Sequence, residues 1–184
     1  MKSQNSSNIL ECVEYLRLGE IIAYPTESCF GLGCNPNNLV AIEKIYDLKH
    51  RPNQMPFIII ISEWAHLDAF DCEISDDQMQ QLRSTWPGPV TWLIPIKTKH
   101  RLASDQQKIA VRMTDHPIAS MICTQFEGAV VSTSANPHGL PSAKTAKEVH
   151  DYFGNKVSYI LDGPLGDRTK PSDIFDLETN QQLR

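Results

Sequence analysis

The sequence predicts an α/β protein, a single domain over residues 1–184 in which helices cover the faces of a twisted sheet. Apolar runs of strand length alternate with segments whose apolar residues recur at helical spacing. The predicted strands 90–96 and 108–113 have no helix between them, which favours a mixed sheet with parallel and antiparallel neighbours. With 184 residues, 41% of them hydrophobic, the chain can bury a sizeable core.

The predicted elements follow one another with short connections. Helices are predicted over 8–18, 38–49, 62–69, 75–85, 116–125 and 144–153, and strands over 20–24, 57–61, 90–96, 108–113, 129–133, 157–161 and 173–177. Ser7 or Asn8 can cap the first helix, and Gly19 ends it. The run 57–61 is apolar throughout, as in a strand covered on both faces.

Two irregular segments interrupt this pattern. Residues 26–34 contain Gly31 and Gly33, so the backbone there must turn or lie close to a neighbour. The segment is not a dinucleotide-binding fingerprint, because it lacks the third glycine and the helix that follows. Residues 162–172 carry two glycines and two prolines without a periodic pattern, which predicts a loop that is either functional or mobile.

The stretch 129–136 ends a predicted buried strand in small polar side chains. Val130 and Val131 are strand core, whereas Ser132, Ser134 and Asn136 can present hydrogen-bonding groups at the edge of the sheet. A turn whose hydroxyl groups bind only the local backbone explains the same residues equally well. Strand alternation places Thr133 and Ala135 on the opposite, packed side.

Three cations complete the candidate site. Lys49 ends a predicted helix and Arg51 lies just after it, where these cations either interact favourably with the helix dipole or bind an anion. Arg112 lies inside an apolar strand, which is costly unless the guanidinium is paired or faces an anion. Cations and hydroxyl groups together suit phosphate, so the residues predict an anion or nucleotide site.

Composition restricts the functional class. The net charge of −5 argues against a domain that coats nucleic acid, although a local basic patch is compatible with it. Five widely spaced cysteines form no pair of metal-ligand spacing, which predicts reduced thiols. No apolar run approaches the ~18 residues of a membrane span, and the polar N-terminus is unlike a signal peptide. We therefore expect a cytoplasmic protein that does not enter a membrane.

Seven segments, taken together and in order, resemble the YrdC-like family, in its short bacterial TsaC branch of threonylcarbamoyl-AMP synthases. They are Pro25–Glu27 with Phe30–Cys34, Lys49–Pro52, Trp86–Thr91, Ala110–Arg112 with His116–Pro117, Val131–Asn136, Gly139–Ser142 and Pro171–Ile174. The resemblance runs from about residue 9 to the end of the chain and implies the YrdC-like fold.

The resemblance also implies a reaction: L-threonine, bicarbonate (or CO2) and ATP give threonylcarbamoyl-AMP and pyrophosphate. The product serves threonylcarbamoyladenosine formation beside the tRNA anticodon. Mg²⁺ carried by ATP is the implied cofactor, with no metal ligand assigned to the protein. The implied partners are the TsaD, TsaB and TsaE proteins, with tRNA or double-stranded RNA as a further candidate.

Residue roles follow from the same resemblance. Lys49 and Arg51 are the implied catalytic cations. The residues assigned to ATP are Arg51, Ser134, Asn136, Ser142 and Arg184, and those assigned to threonine or its carbamate are Thr26, Arg112, Ser132 and Ser172. Met55 and Ile60 stand where longer relatives carry Asn and His ligand contacts, so that part of the pocket must differ.

Two other functions remain open from the sequence alone. One is a non-catalytic module that binds double-stranded RNA or tRNA, which the acidic net charge disfavours. The other is a hydrogenase-maturation domain, although the chains that carry it are much longer and include segments that this one lacks.

Overall fold

The computed structural model describes residues 2–51 and 56–184. The helices are Lys2–Arg17 (α1), Leu39–Lys49 (α2), Asp76–Thr85 (α3), Pro117–Phe126 (α4) and Ala146–Phe153 (α5), and Trp64–Phe70 and Gly154–Lys156 are short 3₁₀ helices. The strands are Ile22–Pro25 (β1), Phe30–Gly33 (β2), Ile58–Ile61 (β3), Val90–Pro95 (β4), Lys108–Met113 (β5), Val130–Ser134 (β6), Tyr159–Ile160 (β7) and Asp173–Asp176 (β8).

All eight strands form one sheet in the order β7-β1-β2-β6-β3-β5-β4-β8. The β1–β7, β3–β5 and β4–β8 pairs are parallel, and the β1–β2, β2–β6, β3–β6 and β4–β5 pairs are antiparallel. The predicted class, a mixed sheet with helices on its faces, is confirmed. Within the described residues, no helix is both long enough and apolar enough to cross a membrane.

Strand alternation divides the core between the two faces of the sheet. Ile59 and Val131 pack on one face with side chains of α2, α3 and α5. Ile60 and Val130 pack on the other face with α1 and α4, which contact each other and β1. Ile58, which also belongs to the second face, lies beside these helices at the floor of a cavity.

Three local features differ from the predictions. Helix α1 begins at Lys2, so Ser7 and Asn8 lie inside it and cannot cap it. The short helix predicted over 62–69 is present as a 3₁₀ helix, Trp64–Phe70, but it begins two residues later than predicted. Residues 30–33 form strand β2, which was not predicted. Two of its four residues are glycines, and glycine is depleted in strands.

The glycines of β2 do lie close to neighbours, as predicted. A Cβ atom on Gly33 would stand 2.7 Å from Tyr24 Cε1 and 2.8 Å from the Val131 carbonyl oxygen. Only glycine therefore lets β2 pack beside Tyr24 in this register. The strand joins β1 to β6 and so places the residues after β1 next to the end of β6.

Candidate active site

A cavity of about 730 Å³ opens on the sheet face that α1 and α4 leave uncovered. Ile58, Ala110 and Leu93, on the adjacent strands β3, β5 and β4, contribute to its floor. Residues 168–172 and 183–184 form part of its wall. The cavity brings together most of the predicted site residues: Thr26, Arg51, Arg112, Ser132, Ser134, Ser142, Ser172 and Arg184.

Strand β6 presents its hydroxyl groups to this cavity. Ser132 and Ser134 are half-buried and line it, whereas Ala135 is fully buried in the opposite core with Val131. Thr133 is also buried, at 9% exposure, although it contributes to the lining. The predicted alternation is confirmed for Ala135, and Thr133 combines packing with a share of the cavity wall.

Thr26 lies directly after β1, and hydrogen bonds within residues 26–29 hold it in place. Its backbone N–H and its hydroxyl both donate to the Cys29 carbonyl oxygen, at 3.0 and 2.7 Å. A Cβ atom on Gly31 would approach Thr26 Cγ2 to 3.2 Å and Ser132 Oγ to 3.4 Å. The absence of a side chain at Gly31 therefore keeps the space between Thr26 and Ser132 open.

Lys49 is not part of the cavity lining. It lies at the end of α2 with 3% exposure, and its ammonium donates to Ser134 O (2.5 Å), Asn136 O (2.9 Å) and Asn136 Oδ1 (3.3 Å). Burial, and then the nearby Arg51 guanidinium, lower the pKa of Lys49 to about 8. The ammonium fixes the 134–136 turn, and its predicted catalytic role can act through that turn.

The Asn136 amide also forms its hydrogen bonds with groups of the protein itself. Its Oδ1 accepts from the Ser134 hydroxyl at 2.6 Å, and its Nδ2 donates to the carbonyl oxygens of Pro137 (3.2 Å) and Leu140 (2.6 Å). Asn136 is absent from the cavity lining. The amide orients the Ser134 hydroxyl, and direct contact of Asn136 with a nucleotide stays a prediction.

Two arginines from distant parts of the chain face the cavity. Arg51 follows the left-handed C-cap residue His50, and its guanidinium lies 5.2 Å from the Phe57 ring centre. Its buried Nε has no partner among the residues that the structure describes. Arg184 donates from Nε and Nη2 to the Ser172 carbonyl oxygen, at 3.1 and 3.0 Å. Burial is the main cause that lowers the pKa of both arginines. Partly desolvated cations of this kind favour an anionic ligand.

Arg112 is paired with a buried carboxylate. Its Nη2 lies 2.8 Å from Glu27 Oε2, and the Thr114 hydroxyl donates to Glu27 Oε1 at 2.5 Å. Burial opposes ionisation of Glu27, but Arg112 and the Thr114 hydroxyl lower its pKa overall. Arg112 Nε is buried without a partner among the described atoms. The sequence left pairing and anion binding as alternatives, and the position of Arg112 is compatible with both.

The loop 162–172 docks on the same segment. Gly166 N–H donates to Thr26 O (3.1 Å), and Arg168 N–H donates to Glu27 O (3.0 Å). A Cβ atom on Gly166 would stand 2.9 Å from Glu27 Cα, so the close approach requires glycine. Ser172 Oγ lies 2.8 Å from Thr91 Oγ1. These contacts hold the loop against the residues that line the cavity.

The cavity is strongly cationic. Among the described residues that line it, the only acidic side chain is Glu27, against the basic side chains Arg51, Lys108, Arg112, Lys144, Arg168, Lys170 and Arg184. Lys108 is compensated by Asp176, at 2.7 Å, and by Glu178, at 2.5 Å. The remaining excess of positive charge attracts anions into a protein whose net charge is −5.

Sequence reasoning missed several residues of this cavity. Glu27 belonged to a matched segment but received no role, because its partners, Arg112 on β5 and Thr114 just after it, are distant in sequence. Lys144, Arg168 and Lys170 also line the cavity. The two cations of the loop 162–172 were a signal that could have identified that wall.

The two departures from the family pattern have different outcomes. Ile60 is fully buried in the core with Val130 and lies outside the cavity lining. The position therefore contributes packing where longer relatives are expected to offer a polar contact. Met55 lies outside the described residues.

The described residues contain no group of three or more His, Cys, Asp or Glu side chains that could hold a metal ion. All five cysteines are free thiols. Among the described residues that line the cavity, the one carboxylate side chain, Glu27, is already paired with Arg112. A Mg²⁺ ion in this cavity would have to be coordinated mainly by oxygen atoms of a bound ligand.

Comparison with known proteins assigns the family. The family model Sua5_yciO_yrdC, described as "Telomere recombination", matches residues 14–184. The chain belongs to the Sua5/YciO/YrdC family. A Sua5/YciO/YrdC relative from Photobacterium profundum, named threonylcarbamoyl-AMP synthase, is 43% identical over 181 residues, which are 96% of this chain and 98% of the relative.

Solved structures of the Sua5/YciO/YrdC family share the fold. P. abyssi Sua5 complexed with L-threonine superposes with a TM-score of 0.86 at 30% identity, over 95% of this chain and 52% of that one. This chain thus spans about half of that Sua5 chain. E. coli YciO gives a TM-score of 0.82 at 25% identity, over 96% of this chain and 87% of YciO.

Proposed function

We propose that the protein is a threonylcarbamoyl-AMP synthase, which converts L-threonine, bicarbonate or CO2 and ATP into L-threonylcarbamoyladenylate and pyrophosphate. The observation that carries this proposal is the cationic, hydroxyl-lined cavity, which contains eight of the predicted site residues. The name of the Photobacterium profundum relative and the threonine complex of P. abyssi Sua5 support the same activity.

The chemistry suits a site without a protein nucleophile. Threonine, as the free amine, adds to CO2 and loses a proton to give a carbamate. A carbamate oxygen then forms a bond to the α-phosphorus of ATP, and the bond from that phosphorus to the pyrophosphate oxygen breaks. Negative charge spreads over the phosphate oxygens, so fixed cations and donors supply the main stabilisation.

We propose that separate groups of the cavity bind the two substrates. Arg112, Thr26, Ser132 and Ser172 are proposed to bind threonine or its carbamate. Arg51, Ser134, Ser142 and Arg184 are proposed to bind ATP. Lys49 and Asn136 would act through the turn that carries Ser134, since their polar atoms are bound inside the protein.

Mg²⁺ is proposed to enter with ATP, where it would neutralise phosphate charge. The proposal places it on phosphate oxygens and assigns it no protein ligand. The protein's own contribution is to hold the phosphates with Arg51 and Arg184 and to orient the carbamate with Arg112.

The wider context is also proposed from the family. The product would pass to tRNA modification, in the cytoplasm, with TsaD, TsaB and TsaE proteins as partners. Binding of tRNA or double-stranded RNA as the sole function is less well supported. The relatives' names favour an enzyme, and the positive charge described above lies inside a cavity.

The test is an incubation with ATP, L-threonine and bicarbonate in which pyrophosphate release is followed. We expect pyrophosphate release that depends on both threonine and bicarbonate. L-Serine and L-valine in place of L-threonine serve as matched substrate controls. Arg51→Ala should abolish it. Pyrophosphate release that does not respond to threonine would reject the proposal.

A further inference from the structure

Glu27 is the one acidic side chain among the described residues that line the cationic cavity, and the proposed reaction assigns it no role. It is 6% exposed and lies immediately after Thr26. Its two carboxylate oxygens bind different groups: Oε2 meets Arg112 Nη2 at 2.8 Å, and Oε1 accepts the Thr114 hydroxyl at 2.5 Å. Both partners come from β5 or the residues just after it.

The Thr114 hydroxyl has a fixed direction. Its oxygen accepts the His116 backbone N–H at 3.2 Å, so its single proton is available for Glu27. A hydroxyl that donates to one carboxylate oxygen and a guanidinium that donates to the other both favour the ionised carboxylate. Glu27 is therefore held as an anion beside Arg112.

The Arg112 guanidinium uses only part of its donor set in this pair. Nη2 donates to Glu27, whereas Nε is buried without a partner among the described atoms, and the side chain lines the cavity. A long side chain in a cavity loses rotamer freedom when it binds a ligand, unless a second contact holds it in place beforehand. Glu27 supplies that contact.

We propose that Glu27 is a positioning residue of the threonine site, which holds the Arg112 guanidinium so that its remaining N–H groups meet the substrate's carboxylate or carbamate. The inference rests on the proposed function. The backbone of Glu27 adds a second effect, because its carbonyl oxygen accepts Arg168 N–H and so ties the loop 162–172 to the same point. A carboxylate that is already paired with arginine and a hydroxyl is a poor general base, which separates this role from deprotonation of the threonine amine.

The test compares Glu27→Gln with Glu43→Gln, a matched control whose carboxylate also pairs with an arginine, Arg101 at 2.7 Å, outside the cavity lining. Calorimetric titration with L-threonine should show binding weakened about tenfold or more in Glu27→Gln and unchanged in the control. The KM for threonine should rise in parallel, whereas the KM for ATP should stay within about twofold. In an Arg112→Gln background, adding Glu27→Gln should weaken threonine binding no further.

Thr114→Val provides a second variant in case Glu27→Gln fails to fold, because it leaves the ion pair in place. We expect it to weaken threonine binding by about threefold. Threonine binding by Glu27→Gln or Thr114→Val at the wild-type affinity overturns the inference. A loss of kcat with an unchanged threonine KM and a vanished acidic limb of the pH profile would instead identify Glu27 as a base. If the wild type and the Glu43→Gln control bind no threonine, the proposed function fails first.

Discussion

Replacement of Lys49 by methionine tests whether this cation positions the 134–136 turn. The change removes an ammonium group that donates hydrogen bonds to three oxygen atoms, and those atoms lose this donor. They are Ser134 O, Asn136 O and Asn136 Oδ1. Hydrogen bonds from charged donors contribute roughly 1.5–3 kcal/mol each to the free energy of unfolding. Part of that loss is offset because the variant no longer buries a charged ammonium group. We expect the free energy of unfolding to fall by about 2–4 kcal/mol, or a Tm lowered by about 4–16 °C for a chain of this size.

The same change should displace Ser134 from the cavity wall. A shift on the order of 1 Å in a substrate-binding group can reduce kcat/KM about 100-fold. Thermal unfolding followed by circular dichroism gives the stability, and pyrophosphate release gives the rate. Lys44→Met, an exposed lysine on the same helix, should leave the free energy of unfolding within about 0.5 kcal/mol of the wild type. A Lys49→Met protein with the wild-type Tm and no activity would refute positioning and favour direct contact with phosphate.

Three further predictions concern packing, thiol reactivity and pH. Gly33→Ala should lower the free energy of unfolding by about 1–3 kcal/mol in denaturant titrations, because its Cβ would overlap the Tyr24 ring, whereas Gly128→Ala, with its nearest neighbour 3.5 Å away, should not. Cys29, half-buried in the cavity lining, should be the first thiol that iodoacetamide alkylates, and bound ATP should slow the alkylation of Cys29. Mass spectrometry that finds another cysteine modified first would contradict this prediction. Since the folded state lowers the pKa of Glu27 below 4.5, its carboxylate stabilises the fold above that pH and the effect is lost as the pH falls through the lowered value. The stability of Glu27→Gln, measured by urea unfolding, should therefore depend less steeply on pH in the acid range, and an identical slope in both proteins would count against the ion pair.

The core strands were predictable because their signal is local. The run 108–113 was predicted with the boundaries that β5 has, and 57–61 differs from β3 by one residue at its start. Short runs dominated by apolar residues, as in both of these segments, are typical of strands buried on both faces of a sheet. Strand β2 lacks that signal, because Gly31 and Gly33 serve the close approach of neighbouring elements.

The site was predictable in its residue types and less so in its geometry. Arg112 was conspicuous as a cation in an apolar strand, but its partner Glu27 is far away in sequence. Lys49 was assigned to phosphate, whereas the fold directs its ammonium to the carbonyl groups of the 134–136 turn. Pairings of this kind depend on strand order and helix placement, which no local pattern specifies.

The central claim is that this cavity joins threonine, CO2 and ATP. The most direct measurement is mass spectrometry of the reaction mixture after incubation with ATP, L-threonine and ¹³C-labelled bicarbonate. We predict a threonylcarbamoyl-AMP species that carries the label, together with pyrophosphate, and neither in Arg51→Ala. An unlabelled adenylate of threonine itself, or no adenylated product from a folded wild-type protein, would contradict the account.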